Sequence, residues 1–199
     1  MRRIPALLVL LRFVLAPVLV AAALLEAAPW VFAVALVLGF LSDVFDGIIG
    51  RRLGVATEAL RRLDSACDTC FYLGVLFAIG SGRMDALEPN FVLLGALIAL
   101  ELTRYLVDWL RFRREAAYHM WSAKLWGILL FVGSLAVLGF GGGPGWVTLA
   151  VGWGLVCDLE GLAASFILRE WHADVPSVVH AWRLRKQAER SAGTGSAPR

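Results

Sequence analysis

Residues Ser42 to Asp68 read SDVFDGIIGRRLGVATEALRRLDSACD and place four aspartates, Asp43, Asp46, Asp64 and Asp68, at the edges of two strongly apolar segments. Carboxylates at the edge of membrane-length apolar sequence are costly and mark functional sites by default. On a helix, Asp43, Asp46, Gly47 and Gly50 fall at spacings of 0, 3, 4 and 7, which puts them on one face. Asp64 and Asp68 lie one turn apart and share a face of the next helix. Packed side by side, two such helices offer four carboxylates to one or two Mg²⁺ or Mn²⁺ ions, which suit oxygen ligands. The glycines let a ligand approach the backbone closely. Without a cation, four neighbouring negative charges repel one another and take up protons.

The remainder of the chain places this stretch in a membrane. Of 199 residues, 59% are hydrophobic and only 18% charged, unlike an ordinary soluble domain. A spanning helix needs about 20 mostly apolar residues, and six segments approach that length: about 5–25, 30–50, 64–81, 91–110, 123–141 and 146–168. The expected fold is all-α, a six-helix membrane bundle over 1–170 followed by a basic tail, 171–199, that is partly disordered. Glu26 to Pro29, Ser81 to Pro89 and GGGPG at 141–145 supply breaks, and arginine-rich stretches at 51–63 and 111–122 supply two more. The N-terminus has the basic end and apolar run of a secretory signal, but Arg12 interrupts the run and its length suffices to span, so it reads as the first membrane helix. With the N-terminus inside, sixteen of the nineteen Lys and Arg residues fall on the cytoplasmic side, only Arg83 lies outside, and Arg12 and Arg104 remain within spans. Basic loops stay cytoplasmic, so both termini and the aspartates are expected on that face. A net charge of +3 gives no indication of nucleic-acid binding.

The pattern D-x-x-D-G-x-x-(A/G)-R followed thirteen residues later by D-x-x-x-D resembles the signature of the CDP-alcohol phosphotransferases, at Asp43, Asp46, Gly47, Gly50, Arg51, Asp64 and Asp68. The resemblance extends to LLRFVLAP, with Arg12 and Pro17, and to Ser122-Ala-Lys124, and covers about 1–170. It implies displacement of CMP from a CDP-linked lipid by an alcohol, with Mg²⁺ or Mn²⁺ as cofactor, two ions in number. On the family pattern Asp43, Asp46 and Asp64 bind metal, and Asp68 is the general base while also touching metal. Gly47, Gly50 and Arg51 face the donor nucleotide and its phosphates. The small bacterial relatives of this outline that make phosphatidylglycerophosphate from CDP-diacylglycerol and glycerol 3-phosphate suggest that pair of substrates, with serine, inositol phosphate or another phospholipid as alternative acceptors, the inner membrane, and a homodimer. Two positions depart from the pattern. Gly50 stands where alanine is usual, and Leu60 replaces a second glycine four residues before Asp64. If that glycine lets the donor nucleotide lie against the start of the third helix, a leucine crowds the cytidine pocket, so the backbone has shifted, the donor differs, or activity is impaired, and a non-catalytic relative that binds lipid or nucleotide is the alternative. An ion-coupled transporter fits less well, because transport sites lie near the midplane between inverted repeats and no repeat is visible.

Other charged positions leave two readings each. Glu101, Arg104 and Asp108 follow a 0, 3, 7 ladder: either an internal salt-bridge network, or a site where Arg104, with Lys124 and Arg111, receives an anionic group on the acceptor. Asp158 and Glu160, two residues apart, point in divergent directions on a helix. Val175–Arg190 reads either as a basic amphipathic helix on anionic lipid or as a solvated tail. Cys67-x-x-Cys70 is read as packing rather than redox or zinc chemistry, and His119, His172 and His180 lack ligand-like spacing. Trp30, Trp109, Trp121, Trp146 and Trp171 fall near helix ends, as an interfacial belt requires.

Overall fold

The computed structural model describes residues 4–54, 57–113, 118, 120–168, 170–172 and 175–194. Arg2, Arg3, Arg114, His119, Arg169 and Arg199 therefore lie outside the described residues. The described chain is all-helical, and six helices are long and apolar enough to cross a membrane. In order these are α1 (Ile4–Leu24), α2 (Pro29–Leu53), α3 (Glu58–Gly82), a one-turn α4 (Met84–Leu87) leading through a 3-10 turn into α5 (Phe91–Phe112), α6 (Trp121–Ser134), whose span runs on through a π-helical turn to Gly139, and α7 (Pro144–Ile167). α8 (Val178–Thr194) follows, so of the two readings of Val175–Arg190 the structure has the helix, shifted to begin at Val178 and end at Thr194.

The arginine-rich gap between the second and third spans is shorter than expected. α2 continues to Leu53 because Arg51 and Arg52 in its last turn complement the C-terminal carbonyls. Gly54, at φ 63°, ends it in the left-handed conformation that glycine adopts without strain. α3 starts at Glu58 because Thr57 caps it, its hydroxyl accepting from the Leu60 amide at 3.2 Å. Asp64 and Asp68 consequently sit in the second and third turns of a formed helix.

Two compact units divide the chain: residues 1–90 with 131–147, and 91–130 with 148–199. In the first, α1 packs against both α2 and α3. Lipid offers no hydrophobic drive between helices, so close approach by small residues does the work. A Cβ on Gly74 would stand 2.9 Å from the carbonyl oxygen of Ala16, so α3 can meet α1 this closely only with glycine there. Near the other end, α6 passes into a π-helical turn, Leu135–Gly139, whose displaced carbonyls need partners inside a bilayer. The Gly142 amide donates to Ala136 at 2.7 Å and Arg83 to Val137 at 2.9 Å, and Arg83 also holds the following loop through the carbonyls of Gly142 at 3.0 Å and Gly141 at 3.2 Å. In the second unit, Met120, Ala164, Leu168, Val175 and Ala181 form a buried cluster that joins α8 to the C-terminal end of α7. The exposed Trp30, Trp109, Trp121 and Trp146 lie at or near helix ends. Cys67, Cys70 and Cys157 are free thiols.

Candidate active site

The four aspartates come together in the first unit, and what gathers them is Arg12 of α1. Its Nη1 donates to Asp43 at 3.1 Å and to Asp68, and its Nη2 donates to Asp64 at 2.5 Å and to Asp46. Each terminal nitrogen thus bridges one aspartate of α2 and one of α3. A planar guanidinium is suited to this double fork, and a lysine amine is not. Arg12 is 1% exposed and lies beneath the acids, whereas the side chains of Asp43, Asp64 and Asp68 are 52%, 35% and 37% exposed. Asp46 is the deepest of the four. The Nε of Arg12 is buried and has no hydrogen-bond partner among the described residues, so the terminal nitrogens carry the attachment.

This set fits a divalent cation. One carboxylate oxygen from each of Asp43, Asp64 and Asp68 lies within 4.8 Å of the others, and hard oxygen donors are what Mg²⁺ and Mn²⁺ take. The guanidinium that all four carboxylates share brings one positive charge to four negative ones. The excess is the charge a metal ion neutralises.

The other residues expected on α2 and α3 line up beside the cage. The Arg51 guanidinium lies over Gly47, where a Cβ would come 3.3 Å from its Nη1. At Gly50 a Cβ would meet nothing within 4 Å. Leu60 occupies the first turn of α3, half-buried, with its amide taken by Thr57.

A comparison with protein families matches residues 2–157 to CDP-alcohol phosphatidyltransferase. The chain belongs to the CDP-alcohol phosphatidyltransferase family. No curated protein and no solved structure matches it. The family transfers a phosphatidyl group from a CDP-alcohol to an acceptor and uses divalent metals, and with six apolar helices this member is an integral membrane protein.

The residues assigned to the acceptor belong to the second unit, and each has a partner there. Arg104 donates from Nε to Asp158 at 3.1 Å and lies 3.9 Å from Asp108 and 4.0 Å from Glu101. Arg111 donates to the carbonyls of Leu168 at 3.1 Å and Phe166 at 3.4 Å, which closes the C-terminus of α7. Lys124 rests 4.2 Å from the centre of the Trp121 ring. Asp158 and Glu160 do diverge: Asp158 is buried on Arg104, while Glu160 accepts from the Val178 amide at the start of α8, at 3.4 Å.

Arg12 is the residue of this cluster that the spacing argument on the aspartates passes over. Its signal lies in its position, since a guanidinium in the middle of an apolar helix requires an anionic partner from another helix.

Proposed function

We propose that this family member displaces CMP from CDP-diacylglycerol with an alcohol to form a phospholipid, and that glycerol 3-phosphate, giving phosphatidylglycerophosphate, is the leading acceptor. The observation that carries the reading is the cage itself: four aspartates from two helices, three of them accessible, held over one buried arginine. Asp43, Asp46, Asp64 and Asp68 are the ligands for Mg²⁺ or Mn²⁺, with two ions as the proposed complement. When bound, the metal neutralises the diphosphate and stabilises the leaving phosphate.

Asp68 takes the hydroxyl proton of the acceptor. The acceptor oxygen then bonds to the lipid-linked phosphorus, the phosphorus–oxygen bond to CMP breaks, and CMP leaves with the bridging oxygen. Gly47 and Gly50 keep the α2 face low enough for the donor to lie against it, and Arg51 pairs with its phosphates. Arg12 fixes the spacing of α2 and α3 and so positions the carboxylates before donor or metal arrives.

For an anionic acceptor, Arg104, Lys124 and Arg111 are the proposed cations. Lys124 is the most readily recruited, because its partner is an aromatic face rather than a carboxylate or carbonyl. We further propose that both termini and the aspartate cage face the cytoplasm, on the strength of the basic residues in the same loops, that the membrane is a bacterial inner membrane, and that the protein works as a homodimer.

Leu60 favours a second reading, a relative that binds lipid or nucleotide without turnover. Purified protein supplied with Mg²⁺ or Mn²⁺, CDP-diacylglycerol and a panel of alcohols separates the two by CMP release. The transferase releases CMP with one acceptor above the rest, whereas folded protein that binds the donor and releases none with any acceptor is the non-catalytic relative.

A further inference from the structure

At one end of the second unit, four basic side chains each lie over an aromatic ring. Arg113 lies 4.7 Å from the ring centre of Trp109 at the end of α5, Lys124 4.2 Å from Trp121 at the start of α6, Arg111 5.7 Å from Phe166 at the end of α7, and Lys186 3.7 Å from Trp182 on α8. The first three rings are exposed and stand at the ends of spanning helices. Exposed aromatics at span ends mark the headgroup level of a bilayer, and basic side chains beside them mark a leaflet rich in anionic lipid.

α8 is fixed at this same level. The Trp121 amide donates to the Pro176 carbonyl at 3.3 Å, and Glu160 accepts from the first amide of α8. Val175 and Ala181, 1% and 0% exposed, pack with Met120, Ala164 and Leu168 at the ends of α6 and α7. A solvated tail would have no reason to bury these residues.

The opposite face of α8 is left open. Val179, Trp182, Arg183 and Lys186 follow a 0, 3, 4, 7 spacing and are all exposed. Two apolar side chains beside two cations, on a helix held at headgroup depth, is the make-up of a helix that lies in the interface with its apolar side chains at the acyl boundary. Arg185 adds a third cation and pairs with Glu189 at 3.1 Å.

We propose that α8 docks on the anionic lipid headgroups of the adjoining leaflet, Val179 and Trp182 entering the acyl boundary and Arg183 and Lys186 meeting lipid phosphates. The docking does not depend on the chemistry of the aspartate cage. The test is hydrogen–deuterium exchange of the full chain in nanodiscs of phosphatidylcholine alone and of phosphatidylcholine mixed with phosphatidylglycerol. The α8 amides are expected to exchange on the order of tenfold more slowly in the anionic discs. Arg183→Glu combined with Lys186→Glu is expected to abolish the difference, while the amides of α7 keep their rates and report an intact fold. Equal α8 rates in the two compositions, or a difference that survives the charge reversal, overturns the proposal. Protection that appears only in discs holding two copies, whatever the lipid, assigns the face to a second chain and overturns it as well.

Discussion

The two units each place one arginine among several carboxylates within membrane-spanning helices, and they do so with opposite burial. In the first, the Arg12 side chain is 2% exposed, and three of its four aspartates reach solvent at 35–52%. In the second, Asp108 and Asp158 are buried at 0% and 3%, the Arg104 side chain is more accessible than either at 18%, and the third acid, Glu101 at 4.0 Å, stands at the rim with 38% exposed. An acid whose oxygens are turned inward is committed to its partner, and truncating either member leaves a buried charge. An acid standing above a buried arginine keeps oxygens for a ligand. The charge inventory is similar, and it is accessibility that separates the proposed metal cage from the salt-bridged brace around Arg104.

This contrast can be broken in five ways, the largest effect first. Asp68→Asn is expected to lower CMP release on the order of 10²–10⁴-fold, the usual scale for a lost general base; turnover at the wild-type rate would remove Asp68 from that role. Arg12→Met should destabilise the protein by about 3–5 kcal/mol, because Asp46 loses its buried counter-charge. Thermal unfolding in detergent measures the loss, and Mn²⁺ should raise the unfolding temperature of this variant more than that of the parent. Asp158→Asn is predicted to cost about 1–3 kcal/mol, since an amide still accepts from Arg104. Mn²⁺ titration should find its metal affinity unchanged, and weakened affinity would mean that the brace is not independent of the cage.

Smaller effects sharpen the picture at the donor end. Leu60→Gly should lower the donor KM by roughly fivefold, about 1 kcal/mol of relieved crowding; an unchanged KM shows that the leucine side chain does not meet the nucleotide. Gly50→Ala meets open space, so it is expected to stabilise α2 by about 0.5–1 kcal/mol and leave turnover unaltered. Reduced turnover in a more stable protein would place the donor directly against Gly50.

Much of this was open to reading in the chain. The apolar segments predict six spans because membrane length is a local property, and the D-x-x-D and D-x-x-x-D spacings predict shared faces because helical periodicity is local too. Residues 51–63 were harder, since four arginines suggest a loop. In the structure two of them complete α2, and Thr57 starts α3 early. The π-helical turn is not legible in the local pattern, and one of its carbonyls, that of Val137, is met by Arg83 more than fifty residues away.

The membrane class, the pairing of acids along each helix and the family are all written in the chain, because they follow from spacing within a few turns. Which cation serves which acids is a matter of how the helices pack. Arg12 stands 31 to 56 residues from the aspartates it joins, and Arg104 stands 54 from Asp158. Helical periodicity says that such residues share a face but not which neighbour that face meets. Packing of α1 against α2 and α3 turns four repelling carboxylates into a cage with a buried arginine at its base.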